Sequence, residues 1–131
     1  MNELAKEILD TVEVGALATV NVDRTPLVTP LHFARLGDSI VWISEPTARH
    51  SANAFRNGKA EFVVWDDKKL AVFLKTNVTE LQESEKEAAM AAYKEKLADF
   101  MPRCQNPQIY VAPIGELDEK TTTGNWLHFI A

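Results

Sequence analysis

A short junction between an apolar run and a helical segment holds the residues best suited to chemistry, namely Ser44, Thr47, Arg49 and His50. A helix N-terminus binds anions through its free backbone N–H groups and its dipole, and a guanidinium can grip phosphate with two parallel hydrogen bonds. Residues 46–60 contain no acidic residue, although they include arginine and lysine. The order of apolar strand, hydroxyl, helix cap and basic pair predicts a phosphate site. A solvated helix with an ordinary hydroxyl cap is the alternative interpretation.

Two predicted elements position this junction. Residues 39–44 form an apolar run typical of a buried strand, and residues 48–57 are predicted to form a helix with Thr47 as its N-cap and Gly58 just past its end. A further strand is predicted over residues 27–36. Because Pro30 within it cannot donate a hydrogen bond to a neighbouring strand, we expect this strand to lie at a sheet edge or to be bulged.

The rest of the chain is predicted to be mainly strand. Helices are expected over residues 2–12, ended by Gly15, and over residues 84–101, opened by a capping box at Ser84 and stopped by Pro102. Alternating apolar residues predict further strands over residues 16–22, 60–65, 70–81, 109–117 and 126–130. About seven strands with short connections imply antiparallel hairpins, and a small barrel with peripheral helices fits this pattern. Trp42, Trp65 and Phe73 are expected on strand faces that a partner subunit covers.

Composition narrows the class of protein. A length of 131 residues with 46% hydrophobic and 25% charged residues is typical of a single globular domain, here residues 1–131. The net charge of −5 argues against nucleic acid as a partner. Without a long apolar run or a basic leader, we expect no membrane partner and a cytoplasmic location. Cys104 is the only cysteine and the three histidines are far apart in sequence, so neither a disulfide nor a metal site is predicted.

Three segments resemble the pyridoxamine 5′-phosphate oxidase-like, FMN-binding split-barrel proteins: residues 17–20 (LATV), 25–33 (TPLVTPLHF) and 44–53 (SEPTARHSAN). The resemblance implies a six-stranded antiparallel split barrel that forms a homodimer, with two FMN molecules at the subunit interface. Together with the strand pattern, it predicts a mainly β (α+β) fold, namely a six- to seven-stranded antiparallel split β-barrel with peripheral helices.

The resemblance also implies roles for individual residues. It implies that the FMN phosphate is surrounded by Ser44, Thr47, Arg49 and His50, and that the isoalloxazine ring lies along the backbone of Val28, Thr29, Pro30 and Leu31. Asn53 occupies a matching position on the short helix, and Trp126 either covers the flavin of the facing subunit or packs in the core or the interface.

The chain departs from the family pattern at three places. His50 stands where many relatives have lysine, and histidine loses its charge near neutral pH. Ala71 or Val72 stands where the oxidases have a glutamine, and the C-terminal segment has Trp126 and His128 but no arginine. Oxidation of vitamin B6 is therefore disfavoured.

The leading hypothesis is an FMN-dependent oxidoreductase that acts on a small substrate. Because the flavin itself transfers the hydride or electrons, no acid–base or nucleophilic catalytic residue is expected. The alternatives are a flavin- or haem-binding module without turnover, a split-barrel dimer that has lost its cofactor, and a reductase that uses the deazaflavin F420 on the same fold.

Overall fold

The chain folds into three helices and ten strands, and the computed structural model describes every residue, 1–131. The helices are α1 (Glu3–Thr11), α2 (Arg49–Asn57) and α3 (Lys86–Leu97), with a 3₁₀ turn (Glu83–Glu85) before α3. The strands are β1 (Val14–Val20), β2 (Pro26–His32), β3 (Ala34–Leu36), β4 (Ser39–Ser44), β5 (Lys59–Trp65), β6 (Ala71–Asn77), β7 (Thr79–Glu80), β8 (Gln108–Pro113), β9 (Glu116–Leu117) and β10 (Trp126–Ile130). None of the helices has the length and apolar character needed to cross a membrane.

The strands form two sheets. One has six strands in the order β2-β1-β5-β6-β10-β9, and the other has four in the order β3-β4-β8-β7. All neighbours are antiparallel except β6 and β10, which run parallel. Seven strands have five or more residues, and the others have two or three. The predicted mainly β (α+β) class is thus confirmed.

Strand β4 is buried on both faces, which explains its continuous apolar run. Ile40 and Trp42 pack into the larger core, between the two sheets, whereas Val41 and Ile43 pack into a smaller core that contains Tyr93 of α3. A strand between two apolar layers has no polar face to present to solvent. Trp42, predicted on a face that a partner covers, is instead almost fully buried in its own chain.

Strand β2 is the edge of the six-stranded sheet, as Pro30 predicts. It pairs only with β1, so one side of its backbone makes no ladder hydrogen bonds. The single strand predicted over residues 27–36 is wrong, because the chain changes sheets within it. Phe33, fully buried against Phe62, separates β2 from β3, which belongs to the other sheet.

Gly15 does not end the first helix, contrary to the prediction. Helix α1 ends at Thr11, and Gly15 lies within β1 opposite the ring of Phe62. A Cβ at this position would overlap that ring, so glycine is required by close packing rather than by a turn.

Both predicted helix caps differ from the structure. The N-cap of α2 is Ala48 rather than Thr47, and no side chain caps the helix. Ser84 lies in the 3₁₀ turn, and α3 begins at Lys86 without a side-chain cap. Helix α3 also ends before Pro102, at Leu97, because Ala98 has a φ of +55°. Gly58 lies just past the end of α2, as predicted, and adopts the left-handed conformation.

The strand registers place half of the exposed large apolar side chains on one face of the six-stranded sheet, which we call the outer face. Trp65, Ala71 and Trp126 are aligned across β5, β6 and β10, as are Val63, Phe73 and His128. The exposed apolar residues of this outer face are Val14, Val20, Val28, Trp65, Trp126 and Ile130. Trp65 and Trp126 are each 55% exposed.

Candidate functional site

The N-terminus of α2 follows directly from the end of β4. Ala48 adopts extended backbone angles, and its N–H donates to the Glu45 carbonyl at 3.0 Å. No side chain accepts a hydrogen bond from the backbone N–H groups of the first turn. Thr47 is exposed, and its side chain makes no hydrogen bond. The free N–H groups of this turn therefore remain available to an anion.

Ser44 and His50 lie together beneath this turn. The Ser44 hydroxyl and the His50 Nε2 are 2.7 Å apart, and Ser44 is buried at the end of β4. Burial lowers the pKa of His50 from its ordinary value, so the ring is neutral at pH 7. His50 consequently adds no positive charge to the junction.

Arg49 is the cation of the first turn. Its side chain is exposed and makes neither a hydrogen bond nor an ion pair. It lines a polar cavity of about 440 Å³, which we call the turn cavity. The other residues lining the turn cavity are Asn21, Val22, Asp23, Thr25 and Asn53.

Asn53 connects α2 to the end of β1. It is 4% exposed, and its Nδ2 donates to Asn21 Oδ1 at 2.9 Å and to Thr19 Oγ1 at 3.2 Å. One turn further along α2, the Arg56 guanidinium donates to the Val20 carbonyl. These bonds fix the direction of α2 and hence the place of Arg49 on its first turn.

The β1–β2 turn was missed by the sequence analysis as part of the candidate site. Its residues Asn21, Asp23 and Thr25 line the same cavity as Arg49. The alternation of β1 carried a signal, because Leu17, Thr19 and Asn21 share the side of the strand that faces inward. A polar residue next to a core position on that side indicates a partner such as Asn53.

The four β2 residues predicted along the isoalloxazine lie on the edge strand. Helix α2 contacts both β1 and β2, so this edge passes near the junction. Val28 points outward and is largely exposed, whereas Leu31 is buried. Thr29 and Pro30 lie between them in the same strand, opposite Leu17 and Ala16 of β1.

Trp126 does not lie with the junction residues. It lines a different cavity of about 720 Å³ on the outer face, which we call the aromatic groove, together with Trp65, Lys69 and Phe73. The rings of Phe73 and Trp126 are 6.0 Å apart, and Phe73 stacks on His128 at 4.3 Å. Within one chain, the structure thus separates Trp126 from Arg49.

The segment after α3 joins the two parts of the predicted site. The Glu45 carboxylate accepts hydrogen bonds from the backbone N–H groups of Gln105 and Asn106, at 2.9 Å and 3.2 Å. Phe100 stacks on His32 at the end of β2, with ring centroids 3.9 Å apart. Glu45 therefore anchors this loop to the end of β4.

Comparison with known proteins agrees with this architecture. A sequence model of the pyridoxamine 5′-phosphate oxidase family matches residues 1–116, and the chain belongs to that family. None of the curated proteins matches the chain in sequence.

Several solved structures share the fold. An F420 reductase superposes with a TM-score of 0.69 and 18% identity, over 86% of this chain and 94% of that one. A haem-binding protein from Mycobacterium smegmatis superposes with a TM-score of 0.72 and 21% identity, over 86% of this chain and 50% of that one. The haem storage protein HutZ from Vibrio cholerae superposes with a TM-score of 0.69 and 14% identity, over 86% of this chain and 89% of that one. At these identities, the similarity establishes the split-barrel fold.

Proposed function

We propose that this protein is an FMN-dependent oxidoreductase acting on a small substrate. The observation that carries the proposal is the unpaired guanidinium of Arg49, on an uncapped helix N-terminus beside a polar cavity. A cation at this end of a helix is unfavourable by itself, because it adds to the positive end of the dipole. A bound phosphate would offset both charges.

The residues fit an FMN phosphate in the following way. Arg49 and the first-turn N–H groups of α2 would bind the phosphate oxygens, with Thr47 as an additional hydroxyl donor. Ser44 and His50 hold each other beneath the turn. Asn53 positions the helix, and the unpaired backbone edge of β2 from Val28 to Leu31 would contact the isoalloxazine ring.

The flavin would supply the hydride or electron transfer, while the chain supplies orientation and access. The residues that line the two cavities include one hydroxyl bonded to a base, Thr25 to Asp23 at 2.5 Å within the β1–β2 turn. We assign this contact to the structure of the turn, so the proposed chemistry resides in the cofactor.

We further propose that the active form is a homodimer that covers the outer face. Exposed tryptophans, valines and an isoleucine gather there on one side of the sheet, and such patches mark interaction surfaces. In such a dimer, Trp126 could cover the cofactor of the facing subunit although it is remote from Arg49 of its own chain.

A haem-binding module is the second candidate. Two of the similar structures are described as haem-binding or haem storage proteins. His128 lies on the outer face, where it stacks on Phe73 beside the aromatic groove. An imidazole on an apolar face is a suitable haem ligand.

Absorption spectra of the purified protein distinguish the candidates. We expect a flavin spectrum, present on purification or after addition of FMN, that is bleached anaerobically by NADH or NADPH. A Soret band on addition of haem, lost in His128→Ala, would favour the haem module instead. Bound flavin that no nicotinamide reduces would indicate a module without turnover or another electron donor. A protein that binds F420 but not FMN would indicate the deazaflavin enzyme.

A further inference from the structure

One carboxylate lies in the turn cavity, where the proposed site needs positive charge. Of the six residues that line this cavity, Arg49 is the only cation and Asp23 the only anion. They come from different elements, Asp23 from the β1–β2 turn and Arg49 from the first turn of α2. They do not form an ion pair with each other, although both line the cavity.

Asp23 is held in place and remains ionised. Its Oδ1 accepts hydrogen bonds from the Thr25 hydroxyl at 2.5 Å and the Thr25 N–H at 3.1 Å. The Thr25 hydroxyl in turn accepts from Asn21 Nδ2 at 3.1 Å. The Thr25 bonds lower the pKa of Asp23, and the charge of Arg49 lowers it further. The carboxylate is therefore a fixed negative charge at one wall of the cavity.

The same network connects Asp23 to the helix that carries Arg49. Asn21 accepts a hydrogen bond from Asn53 of α2, so the turn and the helix form one hydrogen-bonded unit. Asp23 cannot withdraw from the cavity without breaking its bonds to Thr25. A phosphate attracted to Arg49 must therefore approach within the field of this carboxylate.

We propose that Asp23 determines how strongly the site holds the phosphate end of its ligand, by opposing the attraction of Arg49. This inference rests on the proposed function, and it makes Asp23 a residue of affinity and selectivity rather than of catalysis. It predicts that the site prefers a flavin with a terminal phosphate over one without, but by a smaller factor than Arg49 would give if Asp23 were uncharged.

The test compares FMN with riboflavin, which lacks the phosphate, in equilibrium titrations of four proteins. The proteins are the wild type, Asp23→Asn, Arg49→Ala and Asp38→Asn. The amide of Asp23→Asn keeps an oxygen that can accept from Thr25, so the turn is preserved. Asp38 is exposed in the turn at the other end of β4, and its substitution makes the same change in net charge.

We expect Asp23→Asn to bind FMN about three-fold or more tightly than the wild type and riboflavin unchanged, because only FMN brings a charge near the carboxylate. The gain should shrink at high salt, since exposed charges are screened. Asp38→Asn should bind both ligands as the wild type does.

Two results would overturn the inference, and they distinguish failure of the role of Asp23 from failure of the phosphate site. If Arg49→Ala weakens FMN binding but Asp23→Asn leaves it unchanged or weaker, the phosphate site stands and Asp23 has no role in it. If Arg49→Ala has no effect on FMN binding, the phosphate lies elsewhere, and both the proposed site and the role of Asp23 are wrong.

Discussion

Arg49 and His50 are adjacent in sequence but have different environments. The Arg49 guanidinium is exposed and unpaired, whereas His50 is half-buried and bonded to Ser44. The pair therefore contributes one positive charge at neutral pH rather than two. The basic character of the junction depends on the arginine, and the histidine acts as a neutral support beneath the helix turn.

The buried state of His50 predicts a pH dependence of stability. Burial lowers the pKa of His50 in the folded protein below the ordinary 6.5. As the pH falls through 6.5, the unfolded chain therefore binds more protons than the folded chain does. The free energy of unfolding should therefore decrease between pH 7.5 and pH 5.5. Urea unfolding should show a smaller decrease for His50→Gln, which can still bond to Ser44. An equal decrease in both proteins would contradict the assigned burial.

At the scale of elements, the site depends on how α2 is attached to the six-stranded sheet. Asn53 and Arg56 bond the helix to the end of β1. Strand β1 in turn pairs with β5, and the ring of Phe62 in β5 occupies the space beside Gly15. Packing at the other end of β1 thus supports the strand that carries the Asn53 contact.

Gly15→Ala should destabilise the protein by about 1–3 kcal/mol, because the added methyl group overlaps the Phe62 ring. The loss should be smaller when Phe62 is replaced by leucine. Chemical denaturation of the wild type, both single variants and the double variant gives the coupling energy. Additive losses would show that Gly15 and Phe62 do not constrain each other.

At the scale of the whole molecule, the outer face exposes large apolar side chains and contains the aromatic groove. A patch with two half-exposed tryptophans is an unusual surface for a chain that acts alone. A dimer through this face would also explain why Trp126 and Arg49 line separate cavities within one chain.

We expect the wild type to sediment as a dimer, at about twice the chain mass of 14.7 kDa. Trp65→Glu places a charge among the exposed apolar side chains of the outer face and should shift the protein to the monomer. Val22→Glu is the control, because Val22 is more exposed but lies in the β1–β2 turn, outside this face. A monomeric wild type, or a dimeric Trp65→Glu variant, would argue against this interface.

Periodicity predicted the class of fold and the location of most strands, but the strands predicted over residues 27–36, 70–81 and 109–117 each divide between the two sheets. The bounds predicted for residues 39–44 and 126–130 are those observed, because both segments are rich in apolar residues and follow polar turn residues. The change of sheets at Phe33 could not be predicted, because this single apolar residue separates β2 from β3 and no turn residue marks the break. The requirement for Gly15 depends on Phe62, which is distant in sequence and near only in the fold.

The candidate site was predicted in part. The junction residues share one segment, so their proximity follows from sequence order alone. Asp23 and Asn21 meet Arg49 only because α2 folds back over the end of β1. The anchor between Glu45 and residues 105–106 likewise joins segments about sixty positions apart. Such contacts are set by tertiary packing and leave little local pattern.

Equilibrium titration with FMN, followed by flavin fluorescence, tests the central claim most directly. The account predicts that the wild type binds FMN and that Arg49→Ala binds it about ten-fold or more weakly, since a charge-assisted hydrogen bond contributes about 1.5–3 kcal/mol. Lys94→Ala removes an equal charge from the exposed side of α3 and should bind as the wild type does. A wild type that does not bind FMN, or equal affinities for the wild type and Arg49→Ala, would contradict the account.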